Sequence, residues 1–430
     1  MKRLALTLPF AALMLNPAAV GAEDAAPDDG TRWWGHVQVL AGDDMEGRGT
    51  GTPGYDRAAD YVIGAFQSLG LKPMGTDGYK QPVAFVEQII RSDSSSAVLL
   101  GSGGETPLSV PGDLIFSGGG GPVPERIDAS MVFAGYGLHL PEEGHDDFAG
   151  LDLQGKVVVV VSGGPATISG ALKSHARSER AQYLASKGAV GLISLVTPRQ
   201  VEIPWKRRVN LAGAPALYYA DAALRESDRP FLNAQIDPAR SQSVFEGSGH
   251  DFAAIAAAAD ASAPIAGFPL AQRLSARVAA TRRNLSSPNL IAVMPGSDPN
   301  LRDEYVVLSA HLDGYGIGTP VKGDAIYNGA FDNASGVASL LEIARALQQA
   351  EQKPKRSILF AIVTAEEKGL LGSRYFARRP TVPADAMVAD AIHGPLNDVV
   401  HGHSPTVQEP LPALNVAGQL SIVCDVHECA

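Results

Sequence analysis

Three short motifs in the C-terminal half of the sequence bring together residue types suited to acid–base and metal chemistry. They are His311-Leu312-Asp313, Asp332-Asn333 and Glu366-Glu367. In extended chain, residues i and i+2 point to the same side, so His311 and Asp313 can face one point. An imidazole that binds a metal through one nitrogen donates its other N–H to a carboxylate or carbonyl, and Asp313 is spaced to be that carboxylate. His-x-Asp is also an ordinary surface pair. Asp332, Asn333 and Ser335 directly precede an apolar helical pattern, where such residues serve as N-caps. A carboxylate can cap or ligate, and the local sequence leaves both open. Glu366 and Glu367 come directly after a wholly apolar run. Like charges set together cost energy unless water solvates them or a cation neutralises them. The three motifs jointly hold the donor types that two metal ions about 3.5–4 Å apart require: a bridging carboxylate, terminal His and carboxylate ligands, and a base for water.

The elements around these motifs can be read from periodicity. The run 357–365 contains Ile358-Leu359-Phe360-Ala361-Ile362-Val363, whose length and β-branched content predict a strand covered on both faces. Strands are also predicted at 290–294 and 305–310, and helices at 337–350 and from 372 to 378. Strand alternating with helix implies an α/β layer fold, and its functional residues belong just past the C-terminal strand ends. Nearer the N-terminus, helices are predicted at 33–40 and 55–69. The second shows Ala58, Tyr61, Val62, Ala65, Phe66 and Leu69 at buried-face spacing, with Gly70 as its stop. The stretch 92–125 is rich in Ser, Gly and Pro. Its run Gly118 to Gly121 has no Lys-Ser/Thr after it, and reads as a loop rather than a phosphate cradle. Strands at 131–136, 157–161, 191–195 and 214–219 and a helix at 178–187 make 125–245 a separate unit with no metal-ligand spacing of its own.

With these residues in place, the chain resembles the co-catalytic two-zinc exopeptidase family of secreted bacterial leucyl-type aminopeptidases and glutamate carboxypeptidase. The resemblance also covers Met45-Glu46-Gly47-Arg48-Gly49-Thr50-Gly51, and it likens 125–245 to the protease-associated domain inserted in such enzymes. It implies a mixed, largely parallel α/β sheet with helices on both faces plus a β-rich insertion. The peptidase domain would comprise 31–124 and 246–389. It further implies zinc as cofactor, His311 and Glu367 as ligands, Asp332 as the bridging ligand, Glu366 as general base and Asp313 as the partner of His311. A cis peptide after the bridging Asp, between Asp332 and Asn333, is also implied.

The sequence departs from the family after Ala389. The family's two later ligands are an Asp at an Asn-x-Asp-Met-like strand end and a His near the last strands. Here the chain reads Asp390-Ala391-Ile392-His393-Gly394. The tail 390–430 is atypical, and a truncated or frameshifted reading frame would account for it. Asp390, Asp398, His401, His403 and His427 are not assignable as ligands, and Cys424 and Cys429 do not complete a zinc site.

Composition bounds the rest. The chain has 430 residues, 45% of them apolar, with 46 Gly and 30 Pro, which suits a loop-rich enzyme with a large core. A formal charge of −11 argues against nucleic acid or an anionic membrane surface as a partner. Residues 1–22 read as a signal peptide: Lys2 and Arg3, an apolar stretch, then Val20-Gly21-Ala22. The apolar stretch of about 12 residues falls short of the roughly 20 that span a bilayer. Only Cys424 and Cys429 are thiols, which suits an exported protein, periplasmic or extracellular. The expected function is an aminopeptidase acting on peptides. A carboxypeptidase or dipeptidase with the same metals, and a non-catalytic exported protein with a degraded site, are the alternatives.

Overall fold

Ser357–Val363 is buried at every residue and forms the centre of the sheet that carries the three motifs. Its side chains alternate between two faces, as a strand requires. Ile358, Phe360 and Ile362 join a cluster with Tyr55, Val62, Phe66, Leu308, Val337 and Leu341. Leu359 and Ala361 join Ile291, Val307, Phe376 and Val382 on the other face. The computed structural model describes residues 28–227, 229–392 and 421–422.

The strand order is Ala216–Tyr219, Lys80–Ile90, Ala280–Met294, Ser357–Val363, Tyr305–His311, Met387–Ile392, with Ser421–Ile422 at the end. The sheet is mixed. Tyr305–His311 runs parallel to Ser357–Val363 and to Met387–Ile392. The pairings of Ala280–Met294 with its two neighbours, and of Ala216–Tyr219 with Lys80–Ile90, are antiparallel. Parallel order thus holds where the motifs lie, and hairpin-like pairing extends the sheet away from them. Helices Asp29–Leu40, Pro53–Ser68 and Ser335–Gln349 cover one face, and Leu371–Arg378 covers the other. Local chemistry starts these helices. Asp28 accepts from the Thr31 N–H, and Thr52 accepts from the Tyr55 N–H with Pro53 just inside the helix.

A second sheet has the order Gly104–Leu108, Ser96–Gly101, Phe268–Arg277, Arg126–Phe133, Val157–Val161, Gly191–Leu195, Leu232–Ile236, Leu114–Ser117. The unit expected at 125–245 is therefore only part of this body, which begins in the Ser/Gly-rich stretch and ends beyond Phe268. Short strands such as Ser96–Gly101 bury only alternate residues, and the surrounding Gly and Ser hid that alternation. One strand within the expected unit, Ala216–Tyr219, belongs instead to the motif-bearing sheet, where it pairs with Lys80–Ile90. The stretch Gly118 to Gly121 is a loop. No helix among the described residues is long and apolar enough to cross a membrane. The expected signal peptide 1–22 and the tail residues 393–420 and 423–430, with Asp398, His401, His403, Cys424, His427 and Cys429, lie outside the described residues.

Candidate active site

Tyr305–His311 and Ser357–Val363 run in register, so His311 is paired with Val363 and both chains leave the sheet at one edge. Strand geometry alone therefore delivers His311-Leu312-Asp313 and Thr364-Ala365-Glu366-Glu367 to the same place. Asp332 arrives on the irregular turn Ala330–Ala334 that precedes helix Ser335–Gln349. The peptide between Asp332 and Asn333 is cis. Asn333 accepts the Gly336 N–H, so the capping role read from the sequence falls to Asn333 and leaves the Asp332 carboxylate for other partners. A Cβ on Gly336 would lie 2.2 Å from the Asn333 Oδ1, so this turn needs glycine there.

The structure brings His311, Asp332 and Glu366 together. His311 Nε2 lies 2.9 Å from Asp332 Oδ1 and 3.7 Å from Glu366 Oε2. His311 is fully buried, whereas half of the Asp332 side chain is exposed. Burial disfavours a charged imidazole, but the hydrogen bond to Asp332 and the nearby Asp313 and Glu366 outweigh it and raise the His311 pKa. The same hydrogen bond lowers that of Asp332.

Asp313 takes a different role from the one its spacing suggested. His311 Nδ1 contacts the Asp313 backbone carbonyl at 3.1 Å, while the carboxylate stands 3.8 Å away. The carboxylate instead accepts the N–H groups of Glu366 (3.0 Å) and Glu367 (3.2 Å) and the Thr50 hydroxyl (3.2 Å). A strand end has free N–H groups, and these took the carboxylate before the imidazole could. Asp313 thereby ties the His motif to the Glu motif. It is fully buried, and that desolvation raises its pKa despite these donors.

Glu367 carries the clearest imbalance. Burial pushes its carboxyl up to about 7, helped by Asp332 and Glu366 and opposed by the Tyr315 hydroxyl and His311. Its Oε1 is buried and has no hydrogen-bond partner among the described residues. Burial likewise raises Glu366. Four carboxylates, Asp313, Asp332, Glu366 and Glu367, thus share one corner with His311 and a buried arginine, Arg48. Such a set carries more negative than positive charge, and an orphaned carboxylate oxygen inside it is what a further cation would satisfy. The residue types therefore fit a metal. The positions fit less completely: among the described residues no three His, Cys, Asp or Glu side chains stand ready around one point.

Three participants were not singled out from the sequence. Arg48 is fully buried and reaches Leu312, Leu40, Asn328 and Gly329. Thr50 holds Asp313, and Tyr315, 62% exposed, faces Glu367. The signal for Arg48 was available: a lone cation between Gly47 and Gly49 in a turn. At Gly47, φ is +64° and a Cβ would meet Tyr327 O at 2.5 Å. Thr50 lies in the same resemblance segment without an assigned role, and nothing local marks Tyr315.

The comparisons with known proteins centre on this part of the chain. Residues 289–392 match the sequence model of Peptidase family M28. Leucine aminopeptidase 1 of Trichophyton rubrum is 37% identical over 108 residues, 24% of this chain and 27% of that protein. Leupeptin-inactivating enzyme 1 of Streptomyces exfoliatus is 32% identical over 127 residues, 28% of this chain and 26% of that protein. The matched stretch thus spans about a quarter of the length of these curated relatives. A solved aminopeptidase from Aneurinibacillus sp. strain AM-1 aligns with 84% of this chain and 69% of its own, at 20% identity and a TM-score of 0.45. Over this site-bearing segment, residues 289–392, the chain is similar to peptidase family M28.

Proposed function

We propose that this chain is an exported zinc-dependent exopeptidase that acts on the N-terminal bond of peptides. The observation that carries the reading is the convergence of His311, Asp332 and Glu366 on one edge beside Glu367, whose buried Oε1 lacks a partner. The similarity to leucine aminopeptidase 1 supports an aminopeptidase activity, and a 41% identical stretch of a probable zinc metalloprotease of Pyrenophora tritici-repentis supports zinc. His311, Asp332 and Glu367 would hold zinc. Bound zinc would supply a Lewis acid for the scissile carbonyl and make a water at the site more acidic.

The chain's own residues divide the remaining work. Glu366 Oε2 lies on the His311 side of the cluster, and it takes the proton of the attacking water and passes it to the leaving amine. Asp313 holds the Glu366 and Glu367 backbones and, through its carbonyl, the tautomer of His311. We read the second sheet as the protease-associated insertion, and residues 1–22 as the export signal.

A tetrahedral catalytic zinc takes three protein ligands plus water. Among the described residues, His311, Asp332 and Glu367 would not by themselves give two ions that number, so a second site would be incomplete there. The test is zinc analysis beside hydrolysis of an aminoacyl chromogenic amide by the full chain. Bound zinc with an activity lost to chelator and restored by zinc supports the reading. Full activity in excess chelator would end it, and two tightly held zincs would end the claim of an incomplete second site.

A further inference from the structure

Arg48 lies in the turn before helix Pro53–Ser68, far in sequence from every proposed ligand, yet none of its surface is exposed. Burying a guanidinium is costly unless its N–H groups are all but filled. Arg48 meets that cost with backbone carbonyls rather than with a carboxylate. Its Nε donates to Leu312 O at 2.7 Å, Nη1 to Asn328 O at 2.8 Å and to Leu40 O, and Nη2 to Gly329 O at 2.8 Å.

The choice of carbonyls is informative. Leu312 sits between His311 and Asp313. Asn328 and Gly329 lead directly into the turn Ala330–Ala334 that bears Asp332. Leu40 ends the helix Asp29–Leu40. One planar fork therefore fixes the His311 segment and the Asp332 segment against each other, at the distance where His311 Nε2 meets Asp332 Oδ1. The backbone adds a further tie: the Gly314 N–H donates to Arg48 O, and Gly49 pairs with Gly314 as an isolated bridge. The fit is close, since a Cβ on Gly329 would stand 2.8 Å from Arg48 Nη2. The arginine charge also faces Asp313, Asp332 and Glu367. It offsets part of their repulsion without taking a lone pair from any of them.

We propose that Arg48 is a positioning residue that sets the spacing of His311 and Asp332 for metal binding, acting through the carbonyls of Leu312, Asn328 and Gly329. The inference rests on the metallopeptidase reading. Lysine offers three donors from one nitrogen, whereas Arg48 holds four carbonyls from three nitrogens of a planar fork, so lysine does not replace it.

The test measures zinc affinity of the full chain by competition with a chromogenic chelator, for the wild type, Arg48→Lys, Arg48→Ala and Arg180→Lys. Arg180 is the control: it is also buried and also holds a carbonyl, that of Gly137, but in the second sheet region. Outer-shell partners of metal ligands typically contribute about 10–100-fold to affinity, and both Arg48 variants are expected to lose that much. Free guanidinium at low millimolar concentration, far below denaturing levels, should restore affinity to Arg48→Ala. Arg180→Lys should bind zinc as the wild type does. Wild-type affinity in Arg48→Ala overturns the inference. So do an equal loss in Arg180→Lys, a loss that guanidinium does not repair, and failure of both Arg48 variants to fold, since each assigns Arg48 to general packing. A wild type that binds no zinc ends the metallopeptidase reading and this inference together. A zinc-binding wild type beside an unaltered Arg48→Ala ends this inference alone.

Discussion

Val157–Val161 and Ser357–Val363 are near twins as strands. Each is apolar, apart from Ser357 at the start of the second, buried at every residue, and next to a parallel neighbour. They differ in the residues just past their ends. Val161 leads into Ser162-Gly163-Gly164-Pro165, while Val363 leads into Thr364-Ala365-Glu366-Glu367. A parallel strand end is a place where chemistry can be mounted, and the strand itself does not determine whether it is. The few residues beyond each strand, and the partners that converge on them, set the two regions apart. Glu366 and Glu367 meet Asp313, His311 and Asp332. Gly163 lies against Tyr136 and Gln200.

The largest effects should fall on the four residues after Val363. Glu366→Gln should lower turnover of an aminoacyl chromogenic amide by about 10²–10⁴-fold, the usual contribution of a general base, with zinc content unchanged. Glu367→Gln should cost zinc as well, because a proposed ligand is removed. Ser162→Ala, at the matching point of the other strand, should change neither. Rate assays and metal analysis on the same preparations decide the matter. Equal zinc loss in both glutamate variants would undo the division of roles between them.

The same contrast bears on how much of the molecule is legible in the sequence. Elements with a clear period were legible. The helix expected at 55–69 is Pro53–Ser68, and the one expected at 337–350 is Ser335–Gln349. The convergence of His311, Asp332 and Glu366 was legible too, because all three sit at or beside the ends of recognisable elements. Strands with mixed faces were harder. Only 290–294 was expected of Ala280–Met294, since Thr281, Arg282, Arg283 and Asn284 are exposed or nearly so and look like loop. They are nonetheless paired with Lys80–Ile90, a strand that the pattern did not suggest at all. The role of Asp313 depended on competition between backbone N–H groups and an imidazole. That is a question of angles between two loops, and spacing along one strand does not contain it.

Core substitutions should be smaller in effect on chemistry and more even between the regions. Phe360 packs against Phe66 in the motif-bearing sheet, and Phe133 against Phe245 and Phe268 in the second. Both are fully buried. Replacing either by Ala should cost about 3–5 kcal/mol, the lost transfer energy plus a cavity. Denaturant unfolding would measure that cost, and zinc competition would separate the regions. Phe360→Ala should weaken zinc binding, because its strand carries Glu366 and Glu367. Phe133→Ala should not. If both weaken zinc equally, the two sheets form one cooperative unit, and the contrast drawn from their strand ends is too sharp.

The smallest effect should arise where the two regions meet. Ala216–Tyr219 comes after the second sheet's Gly191–Leu195 in sequence but pairs with Lys80–Ile90. Tyr219 stacks on Phe85 and donates its hydroxyl to Leu371 O at 2.6 Å, at the first residue of helix Leu371–Arg378. That helix starts a few residues after Glu367, so Tyr219 is a physical link between a segment of the other region and the site loop. Removing the hydroxyl leaves the ring in place, and Leu371 O keeps its second lone pair for the helix. Tyr219→Phe should therefore cost only about 0.5–1.5 kcal/mol, the net value of one such hydrogen bond. The loop 364–370 is held independently by Asp313, through the N–H groups of Glu366 and Glu367. Zinc affinity should accordingly stay within about twofold, since the hydrogen bond lost acts on the helix and not on that loop. The measurement is zinc competition on the folded variant beside its unfolding midpoint. A tenfold loss of zinc affinity with so small a loss of stability would mean that the Asp313 tie does not insulate the site. The strand Ala216–Tyr219 would then have to be counted among the elements that position Glu367.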